Sequence, residues 1–224
     1  MFNRRRFWRG AGAGALALVS AATLAWGTGA GRTAYDALTG KTPKKPPGRK
    51  PPRKSAGGVF AKAPDVMYVP TPQATVDQML ELAEVRPGDV LYDLGCGDGR
   101  ILVTAAKRYG IKGVGFEIDP SLVAEARESA ARQGVSHLVT IRQDDLFAAD
   151  LSEATVVTLF LLPQLNVRLM PKLARLKPGS RIVSHAFNMR GAKPKVVEKA
   201  RDESLPGSHE VFLWVVPWEE EGEE

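Results

Sequence analysis

The sequence contains few residues that could form a cross-link or hold a metal ion, since it has one cysteine, Cys96, and three histidines. A single thiol cannot form an intramolecular disulfide, and no grouping of Cys and His has the spacing of metal ligands. We therefore expect no metal site, and the sequence does not require an oxidising compartment. The 224 residues, of which 44% are hydrophobic, can bury one good core but not two large domains.

Acidic residues are almost absent from the first 62 positions, which hold 13 Lys and Arg residues against one acid, Asp36. This stretch carries a formal charge of +12, whereas the rest of the chain, with 18 basic and 24 acidic residues, carries −6. The basic character of the whole chain therefore belongs to its N-terminal part. A groove that binds a nucleic-acid duplex needs a basic face on the folded domain, so no nucleic-acid partner is expected.

An uncharged run from Gly10 to Gly31 follows four arginines, Arg4, Arg5, Arg6 and Arg9. The run is long enough to span a bilayer but is only weakly apolar. Twin arginines ahead of a mild apolar core also resemble a twin-arginine export signal. Three hypotheses stay open for this segment: a cleaved export signal, an uncleaved membrane anchor, or an Arg-rich organelle-targeting peptide.

The charges on either side of this run predict its orientation. Six basic residues follow it between positions 32 and 50, against the four arginines that precede it. Because the more positive flank stays in the cytoplasm, we predict a membrane anchor with the folded domain on the cytoplasmic side. Export to the periplasm is the alternative. Residues 1–31 are thus the predicted signal or anchor helix, 32–62 a disordered, basic and proline-rich linker, and 63–224 the folded domain.

Short apolar strands alternate with helices throughout the predicted domain. Helices are predicted at 76–83, 100–109, 121–133 and 167–176, and strands at 90–94, 113–117, 138–142, 155–162, 181–186 and 210–216. This alternation is typical of an α/β fold in which helices cover both faces of a mostly parallel sheet, a Rossmann-like three-layer sandwich. The acidic stretch after Trp218 is predicted to be a solvated tail.

The strongest motif lies where the first predicted strand turns into the second helix, as Asp-Leu-Gly-Cys-Gly-Asp-Gly-Arg at 93–100. Glycines at alternate positions let the backbone bend sharply and approach a ligand, and the helix N-terminus offers free N–H donors. The spacing differs from the G-x-G-x-x-G of dinucleotide-binding loops. The carboxylate of Asp93 would repel a pyrophosphate, but it suits the cationic sulfonium and amino acid moiety of S-adenosylmethionine (SAM).

Two further acidic positions follow the next predicted strands. Glu117 ends the second strand, 24 positions after Asp93, where a carboxylate can accept hydrogen bonds from both hydroxyls of a ribose. Asp145 follows the third strand and can accept from the amino group of adenine, with Asp144 as the alternative. Three such elements at three successive strand ends predict a SAM site. A domain that has lost its ligand is the alternative.

Residues 65–217 resemble the class I SAM-dependent methyltransferases, whose first motif is similar to residues 93–100 of this chain. The resemblance implies a seven-stranded sheet and SAM as the cofactor. It also implies which residues surround each part of the cofactor: Asp93, Gly95 and Gly97 the methionine moiety, Glu117 the ribose, and Asp145 the adenine.

A narrower resemblance covers the same span. The Tyr-Val-Pro-Thr-Pro stretch at 68–72, the Gly-Asp-Gly-Arg sequence at 97–100 and Phe116-Glu117 are similar to the mitochondrial protein-lysine methyltransferases of the ATP synthase c-subunit and the adenine nucleotide translocase, and to their bacterial relatives. The sequence departs from them at Cys96, where they often have Ser, and at 121–123, where their aromatic-rich second motif is missing. This resemblance implies a protein substrate, with membrane proteins among the expected partners.

Spacing alone marks no acid or base as catalytic. Residues expected near the methyl acceptor lie before the first helix, after the fourth strand and at the end of the fifth: Tyr68, Thr71, Pro163, Gln164 and His185. A structural role is the alternative for His185. The main prediction is methyl transfer to a protein lysine at a membrane. Two alternatives stay open: a methyltransferase for a small or lipid-soluble acceptor, and a non-catalytic SAM-binding or scaffold protein exported by the twin-arginine-like signal.

Overall fold

The computed structural model describes residues 68–202 and 210–222. The described helices are α1 (Gln73–Leu82), α2 (Arg100–Tyr109), α3 (Pro120–Arg132) and α4 (Pro163–Leu173). The strands are β1 (Val90–Leu94), β2 (Lys112–Glu117), β3 (Val139–Gln143), β4 (Val156–Leu159), β5 (Arg181–His185), β6 (Ala192–Lys193), β7 (Val196–Lys199), β8 (Glu210–Val215) and β9 (Glu219–Glu220).

Seven of these strands form one sheet in the order β3-β2-β1-β4-β5-β8-β7. The five strands from β1 to β5 run parallel to one another, and β8 runs antiparallel to both β5 and β7. The strand order reverses between β1 and β4, which opens a crevice at the carboxyl ends of these strands. The prediction of a mostly parallel, seven-stranded, Rossmann-like sheet is confirmed.

The strands alternate their side chains between two buried clusters, one on each face of the sheet. On one face, Leu91 and Val156 pack with residues of α1, α2 and α3. On the other face, Leu159 and Trp214 pack with Leu169 of α4. Because both faces of the central strands are buried, these strands read as continuous apolar runs in the sequence.

The sequence missed one strand of the main sheet. In β7, the four residues Val196–Lys199 are half-buried or exposed, so they lack the apolar signature of a buried strand. They form a strand because they pair with β8 at the edge of the sheet. The stretch after Trp218 was also mispredicted in part, since β9 pairs with β6 in a two-stranded sheet.

The predicted boundaries around the fourth strand were wrong. The strand ends at Leu159 instead of position 162, and α4 begins at Pro163 instead of 167. Proline is favoured in the first turn of a helix, because its missing N–H would have no partner there. The apolar Leu161-Leu162 pair therefore forms the turn before a helix and does not extend the strand.

No helix within residues 68–202 and 210–222 is long and apolar enough to cross a membrane. The predicted anchor and linker, residues 1–62, lie outside the described residues.

We predict that Gly115→Ala destabilises the domain. A Cβ at Gly115, in β2, would lie 2.6 Å from Cys96 Sγ and 2.6 Å from Leu102 Cδ1. Overpacking of this kind costs about 1–3 kcal/mol, which urea unfolding followed by circular dichroism would measure. Gly222→Ala is the control, because no described atom lies within 4 Å of its added Cβ. Equal unfolding midpoints for the two variants would contradict the prediction.

Candidate cofactor and acceptor site

The loop between β1 and α2 has the geometry that its glycines predict. Gly95, Gly97 and Gly99 have φ angles of 82°, 53° and 77°, in the left-handed region that side chains disfavour. The amides of Gly95 and Cys96 both donate to the carbonyl of Phe116, at 2.9 and 3.0 Å. The loop is therefore fixed against the carboxyl end of β2, and its backbone lies at the crevice.

The segment 68–72 packs on this glycine-rich loop. A Cβ at Gly97 would clash with Cε2 of Tyr68, so the aromatic ring occupies the space that a side chain would need. Arg100 fixes the same segment, because its Nη1 donates to the carbonyl of Thr71 at 2.9 Å while its Nη2 pairs with Asp98 at 2.7 Å. Tyr68 and Thr71, predicted from the sequence to lie near the acceptor, contact the predicted cofactor loop and its Arg100 anchor.

The Tyr68 hydroxyl is in a setting that favours its neutral form. Burial and the negative charge of Asp98 raise the pKa of Tyr68 well above its usual range. The positive charge of Arg100 acts in the opposite direction but is the weaker influence. Tyr68 is therefore a neutral aromatic side chain at physiological pH, suited to cover a ligand and not to accept a proton.

Asp93 is a buried carboxylate at the end of β1, with 3% of its surface exposed. Its Oδ1 accepts a hydrogen bond from Thr158 Oγ1 at 2.7 Å. No donor in the described part of the chain reaches Oδ2, which is also buried. Burial, together with the negative charges of Glu117 and Asp98, raises the pKa of Asp93 to about 7. A buried carboxylate oxygen that has no hydrogen-bond donor within the described part of the protein suits a cationic donor from a ligand.

Glu117 joins β2 to the glycine-rich loop through its side chain. Its Oε2 accepts from the Gly97 amide at 3.0 Å, and its Oε1 accepts from the amides of Ile118 and Asp119 at 2.8 and 2.9 Å. Since each carboxylate oxygen has about two acceptor positions, Oε2 keeps more capacity for a further donor than Oε1. Binding of both ribose hydroxyls, one on each oxygen, stays a prediction.

The loop after β3 carries Asp145 and is held from the side by α4. Asp145 is half-buried, and its Oδ1 accepts from the Phe147 amide at 3.0 Å. Lys172 Nζ donates to the carbonyls of Phe147 and Ala149, at 2.5 and 2.6 Å. The guanidinium of Arg168 lies 3.7 Å from the centre of the Phe147 ring. Helix α4 thus stabilises the loop in which adenine binding is predicted.

Three of the residues predicted near the acceptor lie at the start of α4, which follows β4, and at the end of β5. Pro163 begins α4 and is half-buried, and Gln164 beside it is exposed. His185 is fully buried, and its ring centre lies 4.2 Å from that of Phe160. The structure therefore brings Pro163, Gln164 and His185 to the same edge of the sheet, but the imidazole is not exposed to solvent.

Asn166 joins α4 to the turn after β5, a contact that the sequence did not predict. Asn166 is fully buried, and its Nδ2 donates to the carbonyl of Phe187 at 3.1 Å. Ser184 Oγ donates to the same carbonyl at 2.6 Å. Ala186, within this turn, has a φ of 64°, and the Phe187 amide donates to the His185 carbonyl. Such strained turns are common at functional sites, but an asparagine inside a helix gives no sequence signal for one.

These features fit a SAM site better than a site for a dinucleotide. Asp93 and Glu117 place two buried carboxylates beside the glycine-rich loop, which disfavours a pyrophosphate and favours a ligand with an ammonium group and hydroxyls. No group of three or more His, Cys, Asp or Glu residues in the described ranges could hold a metal ion. The fold and the site together define a class I SAM-dependent methyltransferase.

Comparisons with known proteins identify the family. The ANTKMT methyltransferase domain model matches residues 93–196. A protein-lysine N-methyltransferase of Saccharolobus islandicus is 48% identical over 68% of this chain and 95% of its own length. The adenine nucleotide translocase lysine N-methyltransferase of Mus musculus is 39% identical over 59% of this chain and 58% of its own length. This chain therefore belongs to the protein-lysine N-methyltransferase family, and it is a SAM-dependent enzyme.

Two further relatives extend the comparison. The ATP synthase c-subunit lysine N-methyltransferase of Xenopus laevis is 36% identical over 54% of this chain and 53% of its own length. This chain thus spans just over half of each of the two animal relatives. The crystal structure of an RNA methyltransferase from Salinibacter ruber with bound S-adenosyl-L-homocysteine has 52% identity and a TM-score of 0.62, over 66% of this chain and 94% of that one. The bound product of SAM supports SAM as the cofactor of this chain.

We predict that Glu117→Gln weakens SAM binding by about tenfold or more. The carboxylate is predicted to accept from the ribose, and it also holds the glycine-rich loop through three backbone amides. Hydrogen bonds to a charged group contribute about 1.5–3 kcal/mol each. Titration calorimetry measures the affinity, and circular dichroism tests that the variant is folded. Glu128→Gln is the matched control, since Glu128 lies on α3 and pairs with Arg132 at the surface. Wild-type affinity in a folded Glu117→Gln variant would count against the site.

Proposed function

We propose that this enzyme transfers a methyl group from SAM to a lysine side chain of a membrane protein, and that its catalytic domain faces the cytoplasm. The observation that carries the proposal is the 48% identity to a protein-lysine N-methyltransferase over 95% of that protein's length. Two other relatives are named for their action on the ATP synthase c-subunit and on adenine nucleotide translocase. The apolar run between Gly10 and Gly31 and the basic residues after it support a membrane location.

Within this function we assign the cofactor contacts to the residues predicted from the sequence. The buried, unmet Oδ2 of Asp93 receives the amino group of the methionine moiety, and the backbone of Gly95 and Gly97 lies against that moiety. Glu117 Oε2 accepts from the ribose. Asp145 accepts from the amino group of adenine, and Lys172 holds the loop that carries Asp145 by donating to the carbonyls of Phe147 and Ala149.

We place the methyl acceptor over the ends of β4 and β5. Phe160 and Phe187 are both half-buried there, and their ring centres lie 6.2 Å apart. The methyl group of bound SAM is already activated by the sulfonium, so the protein's task is to position the amine in line and to exclude water. A lysine ammonium must lose a proton before it can attack, and apolar surroundings favour that loss because they destabilise the charged form.

A second candidate acceptor is RNA, because the Salinibacter ruber protein that shares 52% identity is described as an RNA methyltransferase. The charge of the domain argues against it. Residues 63–224 carry a net charge of −6, whereas affinity for RNA depends largely on basic residues that contact phosphates. We therefore rank the protein acceptor first.

Methyl-labelled SAM separates these acceptors in one experiment. The full-length enzyme is incubated with membranes from cells that lack its gene, and the labelled material is fractionated. We expect label in protein, sensitive to protease and recovered as methyl-lysine after acid hydrolysis. Label that ribonuclease releases would establish RNA, and label in the organic extract a lipid-soluble acceptor. Binding of SAM without label would support a non-catalytic protein. Glu117→Gln is the control variant, and at a SAM concentration below the wild-type dissociation constant it should transfer less label.

A reporter fused after Glu224 tests the predicted location. A reporter that is active only in the cytoplasm should be active, and one that is active only in the periplasm should be silent, because the basic residues between positions 32 and 50 hold their flank inside. Replacing those six residues with glutamine is the matched control, and it should reduce the asymmetry. Activity of the periplasmic reporter would refute the cytoplasmic location and support export.

A further inference from the structure

Thr158 is an unexpected polar residue in the centre of the sheet. It lies in β4 between Val157 and Leu159, which are fully buried, as Thr158 is itself. Valine has nearly the same shape and would fill the same space, so packing does not explain the hydroxyl. In the parallel register of β1 and β4, Thr158 stands directly opposite Asp93. Its hydroxyl donates to Asp93 Oδ1 at 2.7 Å.

This bond makes the two oxygens of Asp93 different. Oδ1 is fixed by Thr158, whereas no donor among residues 68–202 and 210–222 reaches Oδ2. A buried acceptor without a donor is unfavourable in the free protein, and a ligand that brings a donor removes that cost. Without the Thr158 bond, the carboxylate could rotate and would present no single oxygen to a ligand.

We propose that Thr158 is a positioning residue for the cofactor: it orients the Asp93 carboxylate so that Oδ2 receives the α-ammonium group of SAM. This inference rests on the assignment of Asp93 to the cofactor amine under the proposed function. Thr158 does not contact the cofactor in this arrangement. It acts through Asp93, and its effect is therefore confined to ligands that carry the amino acid moiety.

The charges around Asp93 show why the bond matters. Glu117 of β2 and Asp98 of the glycine-rich loop raise the pKa of Asp93 through their negative charges, and burial raises it further. Arg100 forms its ion pair with Asp98 and not with Asp93, since its Nη2 lies 2.7 Å from Asp98 Oδ2. The Cys96 thiol, also nearby, has a pKa well above its usual range and stays neutral. The Thr158 hydrogen bond opposes these influences because it lowers the pKa of Asp93.

The direction of the pH dependence follows from these contacts. The pKa of Asp93 in the free protein is raised to about 7, so the carboxyl group is largely neutral below that pH and largely ionised above it. An ammonium group binds the ionised form, and SAM affinity should therefore rise with pH up to about 7. Above about pH 8 it should fall again, because an α-amino group has a reference pKa of about 7.7–8.0 and the ligand then loses its positive charge. Removal of the Thr158 hydroxyl should move this midpoint to higher pH.

Two ligands and three variants test the inference by calorimetry between pH 6 and pH 9. SAM carries the α-ammonium group, whereas 5′-methylthioadenosine has the same nucleoside without the amino acid moiety. We expect Thr158→Val to weaken SAM binding about tenfold at pH 7, because Oδ2 is then no longer aligned with the α-ammonium group and one hydrogen bond between charged groups is lost from the complex. Methylthioadenosine binding should stay unchanged. Thr158→Ser, which keeps the hydroxyl, should bind SAM as the wild type does.

Other outcomes would overturn the inference in distinguishable ways. Equal losses of affinity for both ligands in Thr158→Val would show that Thr158 has a purely structural role. Unchanged SAM affinity in Thr158→Val would show that Thr158 has no role in cofactor binding. Asp93→Asn tests the assignment on which the inference rests. If Asp93→Asn binds SAM normally, the cofactor assignment of Asp93 fails as well. If it loses binding while Thr158→Val does not, only the role of Thr158 fails.

Discussion

The hydrogen bonds of the Glu117 carboxylate are the constraint on which the rest of the site depends. This one side chain accepts the amides of Gly97, Ile118 and Asp119, and so it joins the glycine-rich loop to the end of β2. The loop in turn supports Tyr68, whose ring lies on Gly97. Glu117 is only 9% exposed, so these hydrogen bonds form away from bulk water. In such surroundings a hydrogen bond to a charged acceptor is stronger, and a buried N–H without an acceptor costs more free energy.

The same region concentrates negative charge. Asp93, Asp98 and Glu117 lie close enough for Glu117 and Asp98 to raise the pKa of Asp93, and of the three carboxylates Asp98 forms an ion pair, with Arg100. This arrangement is unfavourable in the free protein and favourable once a cation occupies the site. The repulsion between these carboxylates lowers the stability of the free domain at its functional site. A cationic cofactor with an ammonium group has the charge that this region lacks.

The family relationship applies to the catalytic domain. The family model spans residues 93–196, from the end of β1 to the start of β7. That span contains the glycine-rich loop, Glu117, the loop of Asp145 and the turns after β4 and β5. The basic and apolar residues on which the membrane location rests lie before it. The chemistry and the proposed location thus depend on different parts of the chain and can be tested separately.

The sequence by itself determined the elements whose signals are local. The bounds of β1 and α2 match the predicted ranges 90–94 and 100–109, because apolar periodicity and a glycine-rich turn act between near neighbours. The order of the acidic residues at successive strand ends was equally readable. Tertiary structure alone decided the features that need distant partners. Strand β7 forms because it pairs with β8, and Thr158 meets Asp93 across 65 positions of chain. No pattern of neighbouring residues encodes which side chains a folded sheet brings together.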